Sequence, residues 1–523
     1  MRVAVFAFAS VWCAWSQGLD PSALLKTAGN DWPTYNGDYS GRRFSTLTQI
    51  NDKNVDSLTL AWAFQAKTSV LKGTPLEVNG ILYLTAPDNV WALDAATGRQ
   101  LWRYQRPSEG NHIGQRGVAM YHDRLYFGTP DAHLICLDAK NGKQVWDVPI
   151  ADPQFGYYLS MAPLVIKNQL IIGTSGDQAD VPHYVISIDP ETGKEQWRWS
   201  SLPKPGEAGS ETWLNPASLK NGGGPAWMTG SYDPELNLLY WGTGNPHPVL
   251  GGVARPGANL YTCSIVALNP DTGKLVWYFQ ASPHDTHDWD ATETPVLFDG
   301  TFRGTQRKLL AQASRNGYFF ILDRKTGENL LSTPFVPLDW SAGLNERGEP
   351  VPKPEKEPQV NGSLLKSYYN GGTNWMSPSF SPQTKLFYVN AASGYSLFYL
   401  TLDERKRAEG HQAGNAVSLL SDSALLALDY ETGKERWRHE EGPGVTYSGI
   451  LSTAGNLLFT SDVTGNLLAF DASTGEALWH AYGGGLMNSS PMTYEAAGRQ
   501  FVLTAVDSVL YAWSLPRSKV TRK

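Results

Sequence analysis

The chain has 523 residues, enough for three ordinary domains or for one long repeat body. Only 18% of them are charged, while Gly (51), Pro (33), Trp (19) and Tyr (24) are abundant, a mix that suits short strands and tight turns. The net charge of −7, with no basic cluster on an aromatic surface, argues against nucleic-acid binding, and beyond the N-terminal leader no stretch approaches the roughly twenty apolar residues of a membrane span.

The first segment is MRVAVFAFASVWCAWSQG. Arg2 precedes an apolar run to Trp15, and Ala14 and Ser16 form a small-x-small pattern, so residues 1–16 read as a secretory signal peptide and the mature chain is expected to be exported. Cys13 lies in that leader. The two remaining cysteines, Cys136 and Cys263, are most simply buried free thiols.

From residue 92 onward one phrase recurs: ALDAATGRQLW at 92, CLDAKNGKQVW at 136, SIDPETGKEQW at 187, ALNPDTGKLVW at 267, ILDRKTGENLL at 321, ALDYETGKERW at 427 and AFDASTGEALW at 469. Each is a strand end, an Asp or Asn turn carrying a glycine, and a second strand closed in most copies by Trp, which is a β-hairpin signature. The earlier strand LTLAWAF adds Trp62 without its turn. Closing residues at 62, 102, 146, 197, 277, 331, 437 and 479 are separated by 40, 44, 51, 80, 54, 106 and 42 residues. Five of these gaps match the roughly 40–50 residues of a four-stranded propeller blade. Eight stations predict an all-β, eight-bladed β-propeller with tryptophan-docking repeats, in one domain over 17–523. The C-terminal strands QFVLTAV and VLYAWSL are expected to close the ring with the strand around Trp62.

A tryptophan in the same slot of every repeat is a structural residue, so function is expected in the insertions that the two long gaps mark. The 80-residue gap holds KNGGGPAWMTGSYDPELNLLYWGTGNPHP, and the 106-residue gap holds YYNGGTNWMSPSFSP. Glycines beside Trp permit close backbone approach to something flat, although glycine turns with a core Trp would look the same in either stretch alone. Between the gaps lies SPHDTHDWD, 282–290, with three aspartates and two histidines. Asp288 and Asp290 share a face if this segment is extended, so both carboxylates could point at one cation. His284 and His287, three apart, could instead suggest zinc, but no cysteine is near and the surrounding donors are oxygens. Both histidines read as solvated loop residues, and Asp285 as a turn cap.

The repeats, GTGNP, SPHDTHDWD, SRNGYFFILDR and LSTAGNLLF, in this order over nearly the whole mature chain, resemble the pyrroloquinoline quinone (PQQ) dependent alcohol dehydrogenases, among them methanol and ethanol dehydrogenases. The resemblance implies PQQ at the centre of the propeller, a metal ion beside it, and periplasmic oxidation of an alcohol to the aldehyde, with hydride passed to the quinone. It implies Trp227 as the floor under the quinone, Arg116 as partner for its carboxylates, and Ser160, Ser175 and Gly176 with Asn374 and Trp375 as further parts of the pocket. Arg315 matches the cation beside the quinone oxygens, and Asp288 the general base. Metal ligands carried over are Asp288, Asn245, Asp290 and Gln178. All four are oxygen donors, which suits Ca²⁺, and the extra aspartate, Asp290, is a feature of lanthanide-using members. No C-x-x-C-H motif is present, so the electrons are expected to pass to a separate acceptor, a periplasmic cytochrome c.

The sequence departs from the methanol dehydrogenase pattern in several places. Gly110 and Asn111 replace an adjacent cysteine pair, Pro225 a threonine, Tyr447 a pocket tryptophan and Lys72 a glutamate near the quinone; Gln178 stands for a glutamate that Asp177 or Asp180 could replace. A non-catalytic propeller of the outer-membrane assembly type is the rival reading, but such a scaffold has no use for Asp288, Asn245, Arg116 and Trp227 together.

Overall fold

The computed structural model describes residues 18–68, 70–108, 114–176, 181–401 and 413–517. The leader at 1–16, the Gly110–Asn111 pair and the Asp177, Gln178 and Asp180 positions lie outside them. The fold is all-β. Among the described residues the strands form eight sheets, each with a path of four sequentially antiparallel strands, and two short two-stranded ribbons. One sheet runs through Leu76–Val78, Ile81–Ala86, Asn89–Asp94 and Gln100–Gln105. Burial falls outward along it: every residue of Ile81–Ala86 is buried, whereas Gln100–Gln105 is exposed or half-buried.

The chain ends meet as the repeats require. Met492–Ala496, Arg499–Val506 and Val509–Ser514 are completed by the N-terminal strand Thr59–Gln65, paired antiparallel from Thr59 opposite Ser514 to Gln65 opposite Val509. A second tie is Phe44–Ser45, which pairs in parallel with Leu451–Thr453. Arg43, fully buried, donates to the carbonyls of Tyr35, Ile450 and Pro491, joining segments more than 400 residues apart in sequence.

The recurring phrase has a physical reason. In its turn the Asp94 carboxylate accepts the backbone N–H groups of Ala96 and Thr97 and the Thr97 hydroxyl, and Gly98 closes the turn at φ +70°; Asp189 and Asp429 do the same in their turns. A Cβ on Gly98 would lie 2.4 Å from the Trp62 ring, and one on Gly142, Gly273, Gly327 or Gly475 would lie 2.5–2.7 Å from the ring of Trp102, Trp197, Trp277 or Trp437. Each of these indoles therefore packs on the turn of the next repeat. The indole N–H groups of Trp102, Trp146, Trp197, Trp277 and Trp437 donate to backbone carbonyls of those turns at 2.7–3.3 Å. At the station without Trp, a Cβ on Gly433 would meet Leu331 and Thr333. Cys136 and Cys263 are buried and free. No helix among the described residues is long and apolar enough to cross a membrane.

Candidate active site

In a meander of four antiparallel strands, the entry to the first strand and the turn between the second and third lie at the same end of the sheet. The sequence places its candidate residues there. Arg116, Ser160, Trp227, Asp288, Asp290 and Trp375 precede first strands that begin at Ala119, Leu164, Ser231, Val296 and Ser379. Ser175, Asn245 and Arg315 follow second strands that end at Gly173, Gly242 and Ala313. Residues from five sheets are thus brought to one side of the molecule.

The two carboxylates of the DWD triplet converge on one guanidinium. Arg315 donates from Nη2 to Asp288 Oδ2 at 2.8 Å, and its Nη1 lies 3.6 Å from Asp290 Oδ2. Its Nε donates to the Asn370 carbonyl at 3.1 Å. Burial opposes the Arg315 charge, but the Asp288 and Asp290 carboxylates outweigh it and raise its pKa. Asp290 is buried and doubly held: Oδ1 accepts the Asn245 backbone N–H and Oδ2 the Trp227 indole N–H, both at 2.7 Å. Burial, reinforced by the neighbouring Asp288 charge, pushes Asp290 up to about 7.

The extended-segment expectation for 288–290 is corrected. Asp288 sits at φ +67°, in the left-handed region, so the two side chains meet through a turn and not through strand alternation. Asp285 makes that turn: its carboxylate accepts the backbone N–H groups of His287, Asp288 and Trp289 at 3.1–3.3 Å. Arg255, buried in the insertion before it, donates to the carbonyls of Asp285, Pro248 and Val249. Burial pushes the Asp285 carboxyl up to about 6, against the pull of Arg255. Losing three charge-assisted hydrogen bonds frees the backbone that aims Asp288, and displacements of an ångström cost about 10²-fold in rate. Asp285→Ala is therefore expected to lower turnover by about that factor and to lower the melting temperature; steady-state rates and thermal unfolding check it, and unchanged turnover would leave Asp285 a turn cap and nothing more.

His287 is not solvated and His284 only in part, which corrects the second expectation. His287 is buried, stacks on Trp289 at 4.3 Å between ring centroids and packs edge-on to Phe398. Its Nε2 lies 3.0 Å from the Lys356 carbonyl, and burial lowers its pKa to about 4, so the ring is neutral and that nitrogen is a donor. His284, half-buried, is tied through Nδ1 to the Gly257 carbonyl at 2.8 Å. Among the described residues no three His, Cys, Asp or Glu side chains gather as a metal cage.

Beside the carboxylates lies an aromatic shelf. Trp227 and Trp375, each half-buried, pack with Tyr35, Ala162 and Met228. The Arg116 guanidinium carbon stands 4.8 Å from the Trp227 ring and 5.5 Å from the Trp375 ring. Its Nη1 donates to Ser160 Oγ at 2.9 Å, and Ser160 Oγ is 3.4 Å from Ser175 Oγ. Among the described residues Arg116 Nε is buried with no acceptor, which fits an anionic group bound there. Asn374 donates to the Asn370 carbonyl at 3.1 Å, the oxygen that also receives Arg315. Glycine is required at two close approaches. A Cβ on Gly176 would lie 2.9 Å from the Gly156 carbonyl oxygen, and one on Gly371 only 2.2 Å from that of Arg315. Pro225 accepts the Gly244 N–H at 2.8 Å beside Asp290, and Tyr447 lies against Tyr368. Two residues were not singled out from sequence: Arg255, and Glu293, whose buried carboxyl is raised well above its usual value by burial, opposite Asp290 and Arg315.

Comparison with known proteins decides the family. The family described as "PQQ: Glucose/ethanol/alcohol dehydrogenase, beta-propeller domain" matches residues 32–350 and 443–502. The chain belongs to this family. It is 38% identical to the quinohemoprotein alcohol dehydrogenase ADH IIB of Pseudomonas putida, over 94% of the chain and 75% of that protein. It is 34% identical to the 1-butanol dehydrogenase (cytochrome c) of Thauera butanivorans, over 92% and 74%. Among solved structures, the quinohemoprotein alcohol dehydrogenase from Comamonas testosteroni superposes with a TM-score of 0.89 at 31% identity, covering 98% of this chain and 84% of that one. A europium-containing methanol dehydrogenase gives 0.84 at 28%, covering 93% and 98%.

Proposed function

We propose that the protein is a PQQ-dependent alcohol dehydrogenase that oxidises a small alcohol to its aldehyde. The observation that carries this reading is the joining of two halves of one site: Asp288, Asp290 and Arg315 on one side, and Trp227, Trp375 and Arg116 on the other, linked by the Trp227 indole N–H on Asp290. A scaffold propeller would need neither the converging carboxylates nor the orphaned Arg116 donor.

The residues fit the groups the family implies. The half-buried indoles and the unsatisfied Arg116 Nε suit a flat, carboxylate-bearing ring system, and Ser160, Ser175, Gly176, Asn374 and Arg315 complete its surroundings. Asp288, Asp290 and the side-chain carbonyl of Asn245 are hard oxygen donors for Ca²⁺ or a lanthanide, with Gln178 as the fourth ligand. When bound, PQQ supplies the electrophilic quinone that accepts two electrons from the alcohol carbon, and the ion supplies Lewis acidity. Asp288 takes the alcohol proton. Its Oδ2 is fixed by Arg315, while no protein hydrogen bond to Oδ1 is found among the described residues, so Oδ1 is the atom that receives it. Trp289, stacked on His287 and packed against Trp340 and Phe398, backs the loop and keeps water from its rear.

The ring we propose has eight blades docked through the repeat tryptophans, which the eight sheets of four or five strands and the indole-on-glycine contacts support. We place it in one domain over 17–523, exported to the periplasm after removal of 1–16, with a cytochrome c as electron acceptor. The test is reconstitution. Apo-protein is expected to gain dye-linked alcohol dehydrogenase activity when PQQ and a metal ion are both added, and activity with NAD alone or failure to bind PQQ would sink the assignment.

A further inference from the structure

Two cations converge on the shelf, and the position of the second was not required by the reading above. Lys72 Nζ stands 5.9 Å from the Trp375 ring, the ring that Arg116 also faces at 5.5 Å. Their backbones are tied together, since Thr74 donates its N–H to the Arg116 carbonyl at 3.0 Å and a Cβ on Gly73 would lie 3.1 Å from that oxygen. The Lys72 stem is seated as well: a Cβ on Gly114 would lie 2.6 Å from its Cδ and 3.1 Å from its Cγ. A lysine held along its stem presents its ammonium group to a fixed place at a small cost in rotamer entropy.

Among the described residues no Asp or Glu carboxylate forms an ion pair with Lys72 or Arg116, and the Arg116 Nε has no acceptor at all. Burial, and then the Arg116 charge, lowers the Lys72 pKa, as two like charges sharing a half-buried place must. At the other end of the shelf the sign reverses, with Asp288 and Asp290 around Arg315. The site is therefore polar from end to end. Among the described residues its cationic end carries two charges that no carboxylate pairs.

We propose that Lys72 is a second cationic anchor for the cofactor, binding a PQQ carboxylate beside the one held by Arg116 and so fixing which end of the ring system faces Asp288. The inference rests on the PQQ reading above. A half-buried ion pair of this kind makes binding salt-sensitive, because ions in solution compete for both partners.

The experiment is titration of apo-protein with PQQ in saturating Ca²⁺, followed by quenching of indole fluorescence, at low and high salt. Wild type, Lys72→Gln, Lys72→Glu and Lys72→Arg are compared, with thermal unfolding as a check that each is folded. Lys72→Gln is expected to weaken PQQ binding roughly tenfold, about the effect of one charge-assisted hydrogen bond, and to flatten the salt dependence. Lys72→Glu is expected to weaken binding further, and Lys72→Arg to restore most of it. Equal affinity and equal salt dependence in wild type and Lys72→Gln would overturn the anchor while leaving the PQQ assignment intact. So would a loss in Lys72→Gln that keeps the wild-type salt dependence and is not recovered by Lys72→Arg, since that marks packing and not charge. Failure of the wild type itself to bind PQQ would overturn the parent reading and the anchor with it.

Discussion

Asp288→Asn is expected to abolish most turnover, by at least about 10²-fold as for loss of a general base, while leaving the fold and PQQ binding in place. The substitution is unusually clean at this position. Asp288 has φ +67°, and asparagine is one of the few residues that tolerates the left-handed region, so the backbone is not strained by the change. The amide oxygen can still accept Arg315 Nη2, now 2.8 Å from Oδ2. What is lost is the ability of the other atom to take a proton. Dye-linked rates, PQQ titration and thermal unfolding separate these effects: the first should collapse and the other two should stay near wild type. Near-normal turnover would move the base elsewhere, with Asp290 the next candidate.

The contrast between what could and could not be read from the chain has a physical pattern. The hairpin turn was legible because its chemistry is local: Asp94 satisfies its own turn within three residues, and Gly98 must be glycine both for φ and for the ring of Trp62 against it. Because that turn repeats, so does the packing, and even the pairing of Thr59–Gln65 with the last strand followed from the spacing. The candidate residues were reachable through family motifs, and the structure brings Asp288, Asp290 and Arg315 together as they implied. What failed were readings that depend on partners distant in sequence. His287 looks like a loop residue until Phe398 and the Lys356 carbonyl, about seventy or more residues away, bury it. Arg255 gives no local signal, since its role is to reach the carbonyl of Asp285 from thirty residues upstream. The same loop defeated the alternation argument at 288–290, because a carboxylate accepting successive N–H groups curls the chain that a strand would extend.

Neutralising Asp290 is expected to weaken a trivalent ion more than Ca²⁺. Asp288 and Asp290 would supply two negative charges to the proposed ion, Asn245 and Gln178 only dipoles, and a PQQ carboxylate a third charge. Removing one unit of negative charge at fixed distance costs a trivalent ion half as much again as a divalent one, since the Coulomb term scales with the ion's charge. Asp290 is also a strut, however, because its two oxygens hold the Trp227 indole and the Asn245 backbone. Two substitutions separate these roles. Asp290→Asn keeps the shape and, with its amide oxygen turned to the Trp227 indole, gives up only the Asn245 N–H, so the lost charge should appear as a selective loss of La³⁺ or Ce³⁺ affinity, with activity on Ca²⁺ better preserved. Asp290→Ser removes the acceptor for the indole as well, which frees Trp227 on the shelf and should weaken PQQ binding with either ion. Titration of apo-enzyme with each metal, together with PQQ affinity in both variants, reads the two effects independently. Equal loss of both ions in Asp290→Asn, or full wild-type activity with Ca²⁺ and none with a lanthanide, would show that Asp290 serves this site as a strut for Trp227 and not as the charge that selects its ion.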